Sequence, residues 1–135
     1  MARGLRLSAA LQEQMLAHCR SRYPKEACGL LAGKDGVVTQ VYPMRNIEDS
    51  PIGYAMDPRE QLQVDKQMRP QQQQLLGIYH SHTASAAYPS SVDVKLALSP
   101  DISYVLVSLT DQTQPELKSY RIDGQTITPE RITVL

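Results

Sequence analysis

A chain of 135 residues with 41% hydrophobic content can build one ordinary core and little more, so a single domain over residues 1–135 is expected. Fourteen Lys and Arg offset fourteen Asp and Glu, and the resulting formal charge of zero removes any global electrostatic case for a nucleic-acid or anionic-membrane partner. No stretch approaches the roughly 20 apolar residues of a membrane span. Residues 1–8 hold no long apolar run, and Cys19 and Cys28 are too few for a disulfide framework, which together predict a cytoplasmic, reduced protein.

Ser8 is placed to cap a helix over residues 9–22, with Leu11, Met15, Leu16 and Cys19 at apolar-stripe spacing and Pro24 as its stop. Residues 25–33 read as a buried strand with Glu26 at its entrance, turning at Asp35-Gly36 into a hairpin partner over 37–42. A loop over 43–51 and a short extended piece at 54–56 follow. Asp57 then caps a helix that begins at Pro58, presents Leu62, Asp65 and Met68 on one face and ends by Pro70. Gln71 to Gln74 form a polar connection.

Residues 75–82 are the next strand, 83–88 a loop of small side chains, and Ser90 caps a helix from Ser91 to about Leu98, before Pro100. Strands over 102–110, 116–122 and 126–135 complete the chain, separated by 111–115 and by Asp123-Gly124. Helices interspersed with strands, some in hairpins, predict an α/β domain with a mixed central sheet flanked by helices.

Two of the three histidines, His80 and His82, stand one residue apart at the end of a predicted strand, where the two-residue period puts both imidazoles on one face. A carboxylate from the next helix, Asp93, can join them. Two imidazoles and a carboxylate leave a fourth position on zinc open for a water whose pKa falls to about 7, the arrangement of a catalytic site. Each residue has a plainer role as well. Ser90 and Asp93 match a capping box, and a carboxylate near a helix N-terminus is stabilised there without any metal. Such a site also needs a base; Glu26 qualifies if its strand lies beside the one carrying the histidines, and is otherwise a strand-edge carboxylate. His18 has no partner at metal-binding spacing and reads as a boundary residue. Cys28 as a nucleophile with His80 lacks any electropositive signature and reads as core.

His80-Ser81-His82, seven residues, Ser90, two residues and Asp93, with Glu26 upstream, resembles the His-x-His-x7-Ser-x2-Asp signature of the JAMM (MPN+) metallopeptidases. The segment from Pro24 to Gly33 resembles the part that bears that family's catalytic glutamate. Tyr79 to Ala84 and Ala87 to Ser90 look most like its short prokaryotic branch, typified by CysO-cysteine peptidases. The resemblance implies one catalytic Zn2+ held by His80, His82 and Asp93, with Glu26 as base and Ser90 stabilising the oxyanion. It further implies an MPN fold and hydrolysis of an amide or isopeptide bond after the C-terminal glycine of a ubiquitin-like sulfur carrier with a Gly-Gly tail. In that branch cysteine is released. The compact chain leaves little room for the insertions with which eukaryotic relatives select ubiquitin chains.

Two other functions compete. A non-catalytic MPN scaffold would characteristically lack these residues. A non-haem iron oxygenase could use two histidines and a carboxylate, but a cupin-like site wants an acidic residue soon after His82, where the chain has Ala86 and Ala87.

Overall fold

The computed structural model describes residues 4–97 and 99–135. Its frame is one mixed sheet of eight strands: β1 Leu5–Leu7, β2 Cys28–Lys34, β3 Val37–Met44, β4 Gln74–His82, β5 Ser103–Ser108, β6 Glu116–Asp123, β7 Thr126–Glu130 and β8 Ile132–Val134. Three helices pack on it, α1 Ala9–Arg22, α2 Pro58–Met68 and α3 Ser91–Leu96. The strand order is β7-β6-β5-β4-β2-β3-β1-β8. Arg131 alone separates β7 from β8, although these strands stand at the two ends of that order. The sheet therefore curls until its edges nearly meet.

Local signals account for most elements. The Ser8 hydroxyl accepts the Leu11 N–H at 3.2 Å and starts α1, whose Met15, Leu16 and Cys19 are buried. Asp57 accepts the Arg59 N–H at 2.9 Å, with Pro58 in the first turn of α2. Asp35 and Gly36 both take positive φ, 53° and 76°, as a tight hairpin turn requires. Gly29 is needed for another reason: a Cβ there would lie 2.2 Å from the Tyr79 ring.

The sheet is covered on both faces, and the alternation of side chains sorts them. Met15, Leu16 and Cys19 of α1 pack with Ala27, Leu31, Tyr79, Val105 and Val107. On the other face Val64 and Met68 of α2 meet Cys28, Leu30 and Ala32, while Val94 of α3 packs with Leu106, Tyr120 and Ile122. Each buried Leu, Val, Ile or Met among these contributes about 1.5–3 kcal/mol. Because Tyr79 faces α1, His80 and His82 alternate with it and open toward α2 and α3.

Several boundaries differ from expectation. The strand β1 is three residues long, too short for a periodic signal, and is held by parallel pairing to β8. The expected strand over 126–135 is two strands on opposite sheet edges; β7 tolerates Pro129 because it is an edge strand. β3 continues through Pro43 to Met44, since beyond Val37 it pairs with β2 only and that proline removes no second ladder bond. In α2 the buried pair is Val64 and Met68, and Leu62 is 53% exposed. α3 stops at Leu96, and Leu98 lies outside the described residues. β5 is trimmed to Ser103–Ser108.

Candidate active site

The end of β4 and the start of α3 meet as the spacing predicts. Among the described residues, His80, His82 and Asp93 offer ligand atoms that all lie within 4.8 Å of one another. His80 Nε2 is 3.1 Å from Asp93 Oδ1, His82 Nε2 is 3.0 Å from Asp93 Oδ2, and the two imidazole nitrogens are 3.2 Å apart. Two nitrogens bound to one tetrahedral zinc at ordinary bond lengths would be about 3.3 Å apart. Asp93 reaches this place as part of a capping box: Ser90 Oγ accepts the Asp93 N–H at 3.1 Å, and Asp93 Oδ2 accepts the Ser90 N–H at 2.8 Å. The helix cap and the third ligand position are thus the same carboxylate.

The proton inventory shows what the site lacks. His82 Nδ1 lies 2.9 Å from the Ala86 carbonyl oxygen, which only accepts, so Nδ1 carries the ring proton and neutral His82 presents a lone pair at Nε2. That lone pair faces the Asp93 carboxylate and His80 Nε2. Both imidazole nitrogens point at the Asp93 carboxylate, and either a proton shared between ring and carboxylate or a metal cation in the same place satisfies the cluster. Burial opposes an imidazolium at His82, but Asp93 and the Ala86 carbonyl outweigh it and raise the His82 pKa. Burial holds the His80 pKa below its ordinary value against the pull of Asp93. Burial would also raise Asp93, yet hydrogen bonds from both imidazoles hold its carboxyl well below the usual range. A donor set of two imidazole nitrogens and a carboxylate suits zinc with one position open.

The condition set on Glu26 is met structurally. β2 lies antiparallel beside β4 with Cys28 opposite His80, and continuing that register by two residues sets Glu26 opposite His82. Glu26 is 6% exposed and shares a cleft of about 320 Å3 with His82, Ser90 and Asp93. Burial pushes its carboxyl up to about 7; His82 pulls it down, while Asp93 and Glu48 push it up. Ser90 Oγ accepts one N–H, which leaves its own O–H free to donate into the cleft.

Three features escaped the sequence reading. Ser81, between the histidines, faces α1 and accepts the Ala27 N–H at 2.8 Å, and the Ser81 N–H donates to the Ala27 carbonyl at 3.0 Å. Its side chain thereby extends the β2–β4 pairing one step toward Glu26. Tyr54 stacks on His80 with ring centroids 4.6 Å apart. The small-residue loop is also fixed, since the carbonyls of Ser85, Ala86 and Ala87 bond to Ser108, His82 and Tyr120 in turn. Ser81 and residues 85–87 lie within the His80–Asp93 stretch, but Ala27, Ser108, Tyr120 and Tyr54, which they or the histidines meet, are remote from it in sequence.

The remaining candidates lie elsewhere. His18 is half-buried, with Nδ1 2.7 Å from the Tyr79 hydroxyl on the α1 face. Both cysteines are free and buried, with thiols pushed up to about 12 by burial, so Cys28 is a core residue and not a nucleophile. No helix among the described residues is long and apolar enough to cross a membrane.

Comparison with known proteins shows the family of the chain. The family model "Prokaryotic homologs of the JAB domain" matches residues 8–123. The CysO-cysteine peptidase of Mycobacterium tuberculosis is 47% identical over 131 residues, covering 96% of this chain and 90% of that protein. The desampylase of Haloferax volcanii is 32% identical over 111 residues, covering 77% and 80%. A solution structure of a protein from Desulfitobacterium hafniense superposes with a TM-score of 0.88 at 42% identity, covering 96% of this chain and 92% of that one.

Proposed function

The chain belongs to the Prok-JAB family, the prokaryotic homologs of the JAB domain, and on that premise we propose that it is a zinc metallopeptidase acting on a small ubiquitin-like carrier. The bond cut is the amide or isopeptide bond after the glycine that ends the carrier tail. One observation carries the proposal: His80 Nε2, His82 Nε2 and Asp93 converge, and His82 and Asp93 line a cleft that also holds Glu26. When bound, zinc supplies Lewis-acid polarisation of the scissile carbonyl and a water acidified enough to attack it.

The chain's own residues do the rest. Glu26, poised near neutrality, takes a proton from the attacking water at its carboxylate and returns it to the departing amine. The Ser90 hydroxyl donates to the carbonyl oxygen as it gains negative charge, an interaction strongest in the transition state. Ala86 locks the His82 tautomer through Nδ1, and Tyr54 fixes the His80 ring by stacking. Exposed Ile52, Val92 and Leu96 rim the cleft with apolar surface past which an extended tail would run.

The similarity to a CysO-cysteine peptidase over nearly the whole chain favours cysteine as the group released from a sulfur carrier. The test is to incubate the zinc-loaded protein with a carrier ending in Gly-Gly-Cys and weigh both products. The expected result is a carrier ending in Gly-Gly together with free cysteine. Cleavage only of a lysine-linked carrier would move the substrate to the isopeptide class of the desampylase. No cleavage of either would leave a non-catalytic scaffold, which the complete ligand set argues against.

A further inference from the structure

We infer that Asn46 is a positioning residue that holds the backbone of Glu26 and so sets where its carboxylate stands in the cleft. Asn46 lies in the stretch after β3 and is 5% exposed. Its amide is engaged at every point. Nδ2 donates to the carbonyls of Glu26 and Gly53, both at 3.0 Å, and Oδ1 accepts the N–H groups of Glu48 and Ala55, both at 3.1 Å. A side-chain amide has two N–H donors and an oxygen with two lone pairs, so nothing is left over.

The position of these partners gives the network its consequence. Glu26 precedes β2, so its own N–H and C=O lie outside the ladder that fixes the rest of that strand. The Ser50 carbonyl takes the N–H at 2.9 Å and Asn46 satisfies the C=O. Both backbone groups of Glu26 are therefore held by the 46–56 loop, and Asn46 also shapes that loop from inside. An isolated bridge between Asn46 and Met56 closes its neck. The zinc-ligand positions, in contrast, come from β4 and α3, and Asn46 makes no hydrogen bond to them. Removing the amide leaves the buried Glu26 carbonyl and the half-buried Gly53 carbonyl short of a donor and frees the residue whose carboxylate must meet the reacting water. A displacement on the order of 1 Å at a reacting group costs about a hundredfold in rate.

The inference rests on Glu26 being the base, and a double-mutant cycle separates the two claims. Turnover per bound zinc is measured on the Gly-Gly-Cys carrier for wild type, Asn46→Ala, Glu26→Gln and the double variant, with zinc content and folded fraction measured for each. Asn46→Ala is expected to lower kcat about 10- to 100-fold with KM and zinc stoichiometry little changed. In the Glu26→Gln background it should change kcat less than about twofold, because no base remains to be positioned. A merely structural role would lower the melting temperature and leave kcat per folded, zinc-loaded molecule intact; that result overturns the inference. So does a loss that multiplies fully in the double variant. Wild-type turnover in Glu26→Gln would instead sink the base assignment. If Asn46→Ala does not fold, Asn46→Ser, whose hydroxyl can serve only one of the two carbonyls, should show a smaller loss with the same dependence on Glu26, and unchanged kcat there would also overturn the inference.

Discussion

Asp93 and Glu130 are both carboxylates withdrawn from water, with 12% and 2% of the side chain exposed, and opposite kinds of atom surround them. Around Glu130 every neighbour donates. Arg121 Nε reaches Oε2 at 3.0 Å, Ser119 Oγ reaches Oε1 at 2.7 Å, and the Ser103 hydroxyl also bonds Oε1. Around Asp93 the Ser90 N–H donates, and the remaining partners are two imidazole nitrogens, which can share a proton with the carboxylate or join it in holding a cation. The two lie toward opposite ends of β4: Ser103 pairs with Gly77 near its start, and Ser108 pairs with His82 at its end. A cavity of about 430 Å3 lined by Arg6, Asp35 and Arg121 adjoins the first, larger than the cleft beside the second. Neither burial nor cavity size tells the two ends apart. The donor type does, because Glu130 is held by a permanent cation and two hydroxyls, whereas the two imidazole nitrogens beside Asp93 can bind either a proton or a metal.

The sharpest way to break this contrast is His82→Ala. It should reduce bound zinc to near zero and turnover by at least about 10³-fold, and the metal-free variant should melt below wild type because Asp93 loses one of its two imidazole partners. Zinc content by mass spectrometry and a thermal melt check both halves; unchanged metal would contradict the ligand assignment. Glu26→Gln should come next, with kcat down about 10²- to 10⁴-fold and zinc retained. Metal loss in that variant would mean that Glu26 is a ligand and the division of the cleft is wrong.

How much of this the sequence disclosed follows from the range of the interactions. His80, His82, Ser90 and Asp93 lie within fourteen residues, so a strand period and a helix cap suffice to bring them together. From the residues alone Glu26 was readable as a conditional, and the family resemblance implied it as base; its strand's adjacency to β4 is a tertiary fact that the β2–β4 register supplies. Tyr54 and Asn46 gave no local signal, since an aromatic and an amide in a loop have many uses and their partners are distant. Among the elements, capped helices and the Asp35-Gly36 hairpin were legible. The three-residue β1 and the division of the last strand were not, because both arise from closure of the sheet.

Arg121→Met tests the balanced carboxylate. Removing the cation leaves Glu130 with hydroxyl donors only, and a broken buried pair costs several kcal/mol. Arg121 is 28% exposed, so solvent screens part of that loss and about 2 kcal/mol is expected, a fall in melting temperature of several degrees. Zinc stoichiometry and kcat per folded molecule should not move. A change in either would couple the two ends of the sheet and undo the contrast between them.

The smallest effect is a pH dependence in the metal-free protein. The Glu26 carboxyl is pushed up to about 7 in the folded chain, against an ordinary value near 4.3, so between those values the folded state binds more protons than the unfolded one. Stability from this group is therefore present at low pH and lost as pH rises toward 7, opposite in sign to Asp93, whose lowered pKa gives stability above about pH 4 that is lost on acidification. Urea melts of wild type and Glu26→Gln at pH 4, 6 and 8 isolate the Glu26 contribution as their difference. That difference should be near zero at pH 4 and reach ~1–2 kcal/mol in favour of the variant at pH 8, after allowing for the open cleft. A bound dication favours the ionised carboxylate, so zinc should shrink the gap and move it to lower pH. A gap of constant size from pH 4 to 8 would mean that the glutamine stabilises by packing and that Glu26 is not poised near neutrality.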